Sequence, residues 1–186
     1  SDQPGGMMRQ AQLAMGRNDL KSAESWMKKA ITIDASSAGG HESYAVLLSQ
    51  LGRSKEALAQ LLLAQKLQPE NPQYPYLLAL ASAEAGTPGD TEKYLKEAIA
   101  LDKTFDRAWY NLGLLQAGEN RLGAALDSLL AAEKHNPQSP DYPYARATVH
   151  YRRQEMTQAI EAIQKALGIQ SDYQPALQFL QNLQQR

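Results

Sequence analysis

A single repeat period constrains this chain more than any other feature. Ala11, Ala45, Ala79, Gly113 and Ala147 stand 34 apart, as do Ala30, Ala64, Ala98, Ala132 and Ala166. A third series runs Ala23, Ala57, Thr91, Ala125, Ala159, and a fourth of larger apolar residues runs Met27, Leu61, Leu95, Leu129, Ile163. The four series stay in phase and divide the chain into 4–37, 38–71, 72–105, 106–139 and 140–173, with no insertion between them. A unit this short cannot bury its own apolar face. Such units must stack on one another, each touching its neighbours in sequence.

Within each period the spacing predicts two amphipathic helices, so the expected class is all-α. Small residues at repeat positions 8, 20 and 27 let the two helices approach closely, and the large residue at position 24 fills the gap. Turn chemistry separates the helices at Arg17-Asn18-Asp19, Gly52-Arg53-Ser54, Gly86-Thr87-Pro88, Gly118-Glu119-Asn120 and Arg153-Gln154-Glu155. Thr87-Pro88-Gly89-Asp90 reads as a cap residue, a proline at the first helical position and an acid in the first turn. Pro69 and Pro137 are expected to close second helices. A longer period overlies this one: Tyr74-Pro75-Tyr76 recurs two repeats later as Tyr142-Pro143-Tyr144, so repeats two–three and four–five read as a duplicated pair.

The pattern resembles the tetratricopeptide repeat (TPR) family, with its W-x2-L-G-x2-Y, then A-x3-F, then Pro over one period of this length. Repeat four carries it best, through Trp109, Leu112, Gly113, Ala125, Leu129, Ala132 and Pro137; it departs at Gln116, where the family has Tyr. The resemblance spans 4–173 and implies a right-handed superhelical solenoid of antiparallel helix pairs. Residues 174–186 read as a C-terminal capping helix, apolar on one side and Gln-rich on the other. Residues 1–3 read as a cut or flexible start, because the chain opens Ser1-Asp2-Gln3 rather than with Met.

Composition narrows the function. With 43% hydrophobic residues the chain can fill a core, and its net charge of -1 argues against nucleic-acid binding through bulk positive charge. No apolar run approaches the roughly 18–20 residues that cross a bilayer. The absence of cysteine removes disulfides and thiolate chemistry. His41, His135 and His150 lack the paired spacing of a helical metal site, and there is neither a Gly-x-Ser-x-Gly elbow nor a phosphate-cradling Gly-x4-Gly-Lys loop. The expectation is therefore a non-enzyme with no cofactor and no metal. Its Gln content and compact turns lean towards a bacterial source, in periplasm or cytoplasm.

The resemblance also implies where a partner would bind: the concave face, lined by repeat positions 2, 5, 9, 12 and 13. Those positions place Tyr76, Tyr110 and Tyr144 in a ladder, with Leu80 and Leu114 between the rungs and Tyr151, Arg107 and Arg152 beside them. Tyrosine is a favoured contact residue, although the same residues also serve packing between repeats. The carboxylate clamp of one TPR subclass is absent, since Tyr76, Leu80, Asp141 and Ala145 stand where it needs Lys, Asn, Lys and Arg; only Asn111 is in register. On the second helices, Leu62, Leu63 and Leu130 either tuck against a neighbour or mark a self-association surface. The expected function is a scaffold binding a peptide or helix of a protein partner. The alternative is a docking or regulatory domain of a larger bacterial enzyme or electron-transfer protein.

Overall fold

A computed structural model describes residues 3–184; Ser1, Asp2, Gln185 and Arg186 lie outside it, and with them parts of the expected start and cap. The described residues form eleven α-helices and no strand. They are α1 (Pro4–Gly16), α2 (Leu20–Ile33), α3 (Ala38–Gln50), α4 (Ser54–Leu67), α5 (Gln73–Glu84), α6 (Pro88–Leu101), α7 (Asp106–Gly118), α8 (Leu122–His135), α9 (Asp141–Arg152), α10 (Met156–Ile169) and α11 (Gln174–Gln184). The chain divides into two compact units, Ser1–Leu101 with α1–α6 and Asp102–Arg186 with α7–α11.

The four periodic series form the seams of both units. Every member is buried, Thr91 included, where its hydroxyl donates to the Thr87 carbonyl at 3.1 Å. The closest approach is at Gly113. A Cβ there would stand 2.8 Å from Leu129 Cγ and 2.9 Å from its Cδ2, so the glycine is what lets α7 and α8 meet. In Ser1–Leu101 the core runs from Ala11 and Met27 through Leu47, Leu48 and Leu61 to Leu78. In Asp102–Arg186 one cluster gathers around Leu129 and Val149, and a second gathers Ile163, Ala166 and Ala176.

One left-handed residue closes the first helix of every pair: Asn18, Gly52, Gly86, Asn120 and Gln154, with φ from 59° to 75°. The N–H of the following residue reaches back to the last turn of the helix in each case. Asp19 bonds Ala14, Arg53 bonds Leu48, Thr87 bonds Ser82, Arg121 bonds Gln116 and Glu155 bonds His150, all at 2.8–3.0 Å. This is the Schellman closure, and it prefers glycine or asparagine. Gly118, expected as a turn glycine, is instead the last residue of α7; Asn120 takes the left-handed conformation. Thr87 also differs from its expected capping role. Its hydroxyl donates backwards to the Ser82 carbonyl at 3.0 Å, tying the end of α5 rather than the start of α6.

Candidate binding faces

In Ser1–Leu101, α3 and α5 leave a cleft of about 320 Å³ above Leu61. Val46, Ser49 and Gln50 line it from α3, and Leu77, Leu80 and Glu84 from α5. These helices put one residue per turn on this face: Glu42, Val46 and Gln50 on one, Tyr76, Leu80 and Glu84 on the other. Val46 is 44% exposed and Leu80 37%, while Tyr76 is buried. The expected apolar residues of position 9 are therefore open to solvent in this unit, and its position-5 tyrosine is largely packed.

In Asp102–Arg186 the corresponding face is furnished differently. Leu114 is 41% exposed, but Arg152 Nη1 donates to the Ala117 carbonyl at 2.7 Å and Nη2 to Asn120 Oδ1 at 3.2 Å. Arg152 thus ties α9 to the end of α7. The tyrosines are engaged as well. Tyr110 lies 5.0 Å from the Tyr142 ring, Tyr144 meets Tyr173 edge-on at 5.7 Å, and Tyr151 meets Phe179 edge-on at 5.5 Å. Burial, then the Asp141 carboxylate, pushes the Tyr110 hydroxyl above its ordinary range, so it stays a neutral donor. Arg107 places its guanidinium 5.5 Å from the Phe105 ring. Of the expected site residues, Tyr110, Leu114, Tyr144, Tyr151, Arg107 and Arg152 lie in this unit, and Tyr76 and Leu80 in the other.

Polar ties between helix pairs had no signature in local spacing. Asp106 accepts from Tyr142 Oη at 2.5 Å and from Asn136 Nδ2 at 2.9 Å. Burial raises the Asp106 carboxyl, but these two bonds, with the Arg107 backbone N–H and the Arg107 charge, together outweigh it and hold the group below its usual range. Buried Glu133 accepts from Arg146 Nε at 3.1 Å and pairs with Lys165, joining α8, α9 and α10. In the other unit Glu24 accepts from Lys28, Arg53 and Tyr44 at 2.7–3.0 Å. The bonds from Lys28, then Arg53, bring its carboxyl down to about 2. Apart from Lys28, a helical neighbour of Glu24, these partners are distant in sequence and meet only when helices stack. Such contacts lie beyond helical periodicity.

Other expectations find their place. His41 is buried between Gln60 Oε1 and the Ala35 carbonyl, and half-buried His150 bonds Glu155 at 2.7 Å. Among the described residues no three His, Asp or Glu side chains are grouped to hold a metal, and no helix is long and apolar enough to cross a membrane. Leu62 and Leu130 are 47% and 48% exposed and Leu63 is similar, so these leucines are not tucked away.

The family profile described as Tetratricopeptide repeat matches residues 88–140 and 110–175. No curated protein sequence matches the chain. Solved structures do. YrrB, described as a TPR protein with an unusual peptide-binding site, is 24% identical over 94% of this chain and 90% of its own, with a TM-score of 0.74. MamA of Desulfovibrio magneticus RS-1 is 17% identical over 94% and 98%, with a TM-score of 0.80. PilF of Pseudomonas aeruginosa is 18% identical over 98% and 90%, with a TM-score of 0.76. At these identities the likeness is one of fold. Two overlapping profile matches mark residues 88–175 as tetratricopeptide repeats, and the chain shares the TPR fold along nearly its whole length.

Proposed function

We propose that this chain is a non-catalytic scaffold that holds a peptide or helical segment of a protein partner against the inner faces of its first helices. The supporting observation is that Val46, Leu80 and Leu114 stay exposed on helices whose other large apolar residues are buried or half-buried. Exposed aliphatic residues on one face, rimmed by polar groups, suit an apolar anchor. Tyr76 completes the proposed site in Ser1–Leu101, and Tyr110, Tyr144, Tyr151, Arg107 and Arg152 complete that in Asp102–Arg186, mostly by shaping the walls. The proposed cap, residues 174–186, is supported where it is described: α11 packs Phe179 and Leu180 against the last core cluster. Removing the cap should cause aggregation or fraying; unchanged solubility and melting would refute it.

The test is selection of random dodecapeptides displayed on phage against the full chain, followed by mapping. At least one of Leu80→Asp and Leu114→Asp should abolish binding of the enriched peptides while circular dichroism reports an intact fold. Enriched peptides that ignore both substitutions would reject the inner face. Self-association is a second reading, favoured by the exposure of Leu62 and Leu130. Equilibrium sedimentation would show a dimer that Leu62→Asp and Leu130→Asp dissociate, or a monomer throughout, which would remove it.

A further inference from the structure

Among the registers at which the duplicated pairs differ, one points to the chemistry of the ligand. Arg152 stands two repeats after Glu84, as Ala117 does after Ser49 and Asn120 after Gly52. In Asp102–Arg186 a guanidinium fills the acceptors at the end of α7 from within the chain. In Ser1–Leu101 the same register carries a carboxylate. Neither α3 nor α5 contains a lysine or arginine, while Glu42 and Glu84 stand one turn to either side of the Val46–Leu80 level. Glu84 is exposed and forms no ion pair among the described residues. Arg53 and Lys55 border a neighbouring depression with Glu84, but Arg53 is held by Glu24 and Glu56 at 2.6–2.8 Å.

We propose that the α3–α5 cleft binds a cationic segment of a partner protein, seating one aliphatic side chain between Val46 and Leu80 while an adjacent Lys or Arg pairs with Glu84. The proposal rests on the inner-face reading above. Its physical basis is charge complementarity at an apolar pocket: the α3–α5 cleft has an unpaired carboxylate at the register where the α7–α9 face holds a cation. The helix C-terminus at Gln50–Gly52 adds the negative end of the α3 dipole on the same side.

The experiment uses the phage-selected peptides, synthesised and measured by fluorescence anisotropy. Enriched sequences should carry Leu, Ile, Val or Met with Lys or Arg close by, within about one helical turn. Leu80→Asp should weaken them by about tenfold or more, and Glu84→Lys by about tenfold, as expected for an anchor and its charge partner. The control Lys134→Ala, exposed on α8, should change affinity less than about twofold, as a surface change away from the contact does. Affinity should also fall when salt is raised from low to several hundred millimolar. Neutral or acidic peptides, or indifference to Glu84→Lys, would overturn the charge assignment. Loss with Leu114→Asp and not Leu80→Asp would overturn the cleft assignment yet leave the inner-face reading standing. No enrichment, or loss only with Leu62→Asp, would reject both.

Discussion

The two Tyr-Pro-Tyr segments share their sequence and their place in a helix pair, yet they do different work. Tyr74 and Tyr142 are both buried at the start of a first helix. Tyr142 donates its hydroxyl to Asp106, and its ring supports Tyr110. Tyr74 instead closes over Ala38 and Ala64, whose side chains accept no bond. The same divergence recurs at the far end of these helices, where Arg152 bridges α9 to α7 and Glu84 leaves the α3–α5 cleft open. The duplicated framework is held by apolar burial, which tolerates changes at its rim. The rim residues then decide which unit carries a guanidinium tie between its first helices and which carries a free carboxylate beside its cleft.

The largest expected effect tests how strongly the Asp102–Arg186 unit depends on its ionic ties. Glu133→Ala leaves Arg146, 16% exposed at its side chain, without its carboxylate. Breaking such a pair from one side should destabilise by about 3 kcal/mol. Thermal melting reads it; a shift no larger than that of Lys134→Ala would show the cluster contributes little.

Overpacking comes next. Gly113→Ala must displace Leu129, with an expected loss of about 1–3 kcal/mol. The counterpart, Ala45, already carries a methyl at the same repeat position over Leu61. A silent Gly113→Ala would mean that α7 and α8 separate as freely as α3 and α4.

The tyrosine comparison is sharpened by removing one oxygen from each motif. Tyr142→Phe loses a hydrogen bond to a charged group and should cost about 1.5–3 kcal/mol, whereas Tyr74→Phe should be within about 0.5 kcal/mol of the parent. A pH signature accompanies it. Asp106 is held below its ordinary value, so its contribution is present above the unfolded carboxylate range near pH 4 and disappears as pH falls through the lower folded value. Tyr142→Phe should flatten the acid limb of the denaturation curve. Glu24 provides the same kind of acid limb in the other unit, with full stability above pH 4.5 and loss as pH falls towards about 2. Equal effects of the two Tyr→Phe changes at pH 7 would erase the proposed difference between the motifs.

The smallest effect concerns the turns. Gln154 adopts φ 63° where Gly52 and Gly86 serve the other unit. Gln154→Gly should stabilise by roughly 0.5–1 kcal/mol, because the left-handed strain relieved exceeds the backbone entropy added. Chemical denaturation would detect it, and a destabilised variant would show that the Gln154 side chain contributes contacts that offset the strain.

Much of the fold was legible because close helix packing leaves a local trace. The small residues at Ala45 and Ala132 each recur once per repeat, since each helix pair must approach in the same way. Leu80 and Leu114 were readable as inner-face candidates through the TPR resemblance, which assigns their repeat position to that face, and both are exposed. The tyrosine ladder was only half legible. Sequence placed Tyr76, Tyr110 and Tyr144 at one register, while their burial and ring contacts depend on neighbours such as Tyr142 and Tyr173 from other helices. Gln116 shows the same limit: it departs from the expected Tyr and is satisfied by Ser128 Oγ at 2.7 Å, a buried partner on the next helix.

The sequence by itself determined the all-α class, the pairing of helices and the burial of the four periodic series, because these follow from short-range periodicity and side-chain size. Tertiary structure alone decided that Asn18, Asn120 and Gln154 take the left-handed conformation alongside Gly52 and Gly86, that Arg152 spends its guanidinium on Ala117 and Asn120, and that the α3–α5 cleft remains open. The physical reason is range. Periodicity records what each helix pair must bury, whereas a carbonyl a full repeat away finds its donor only after the pairs have stacked.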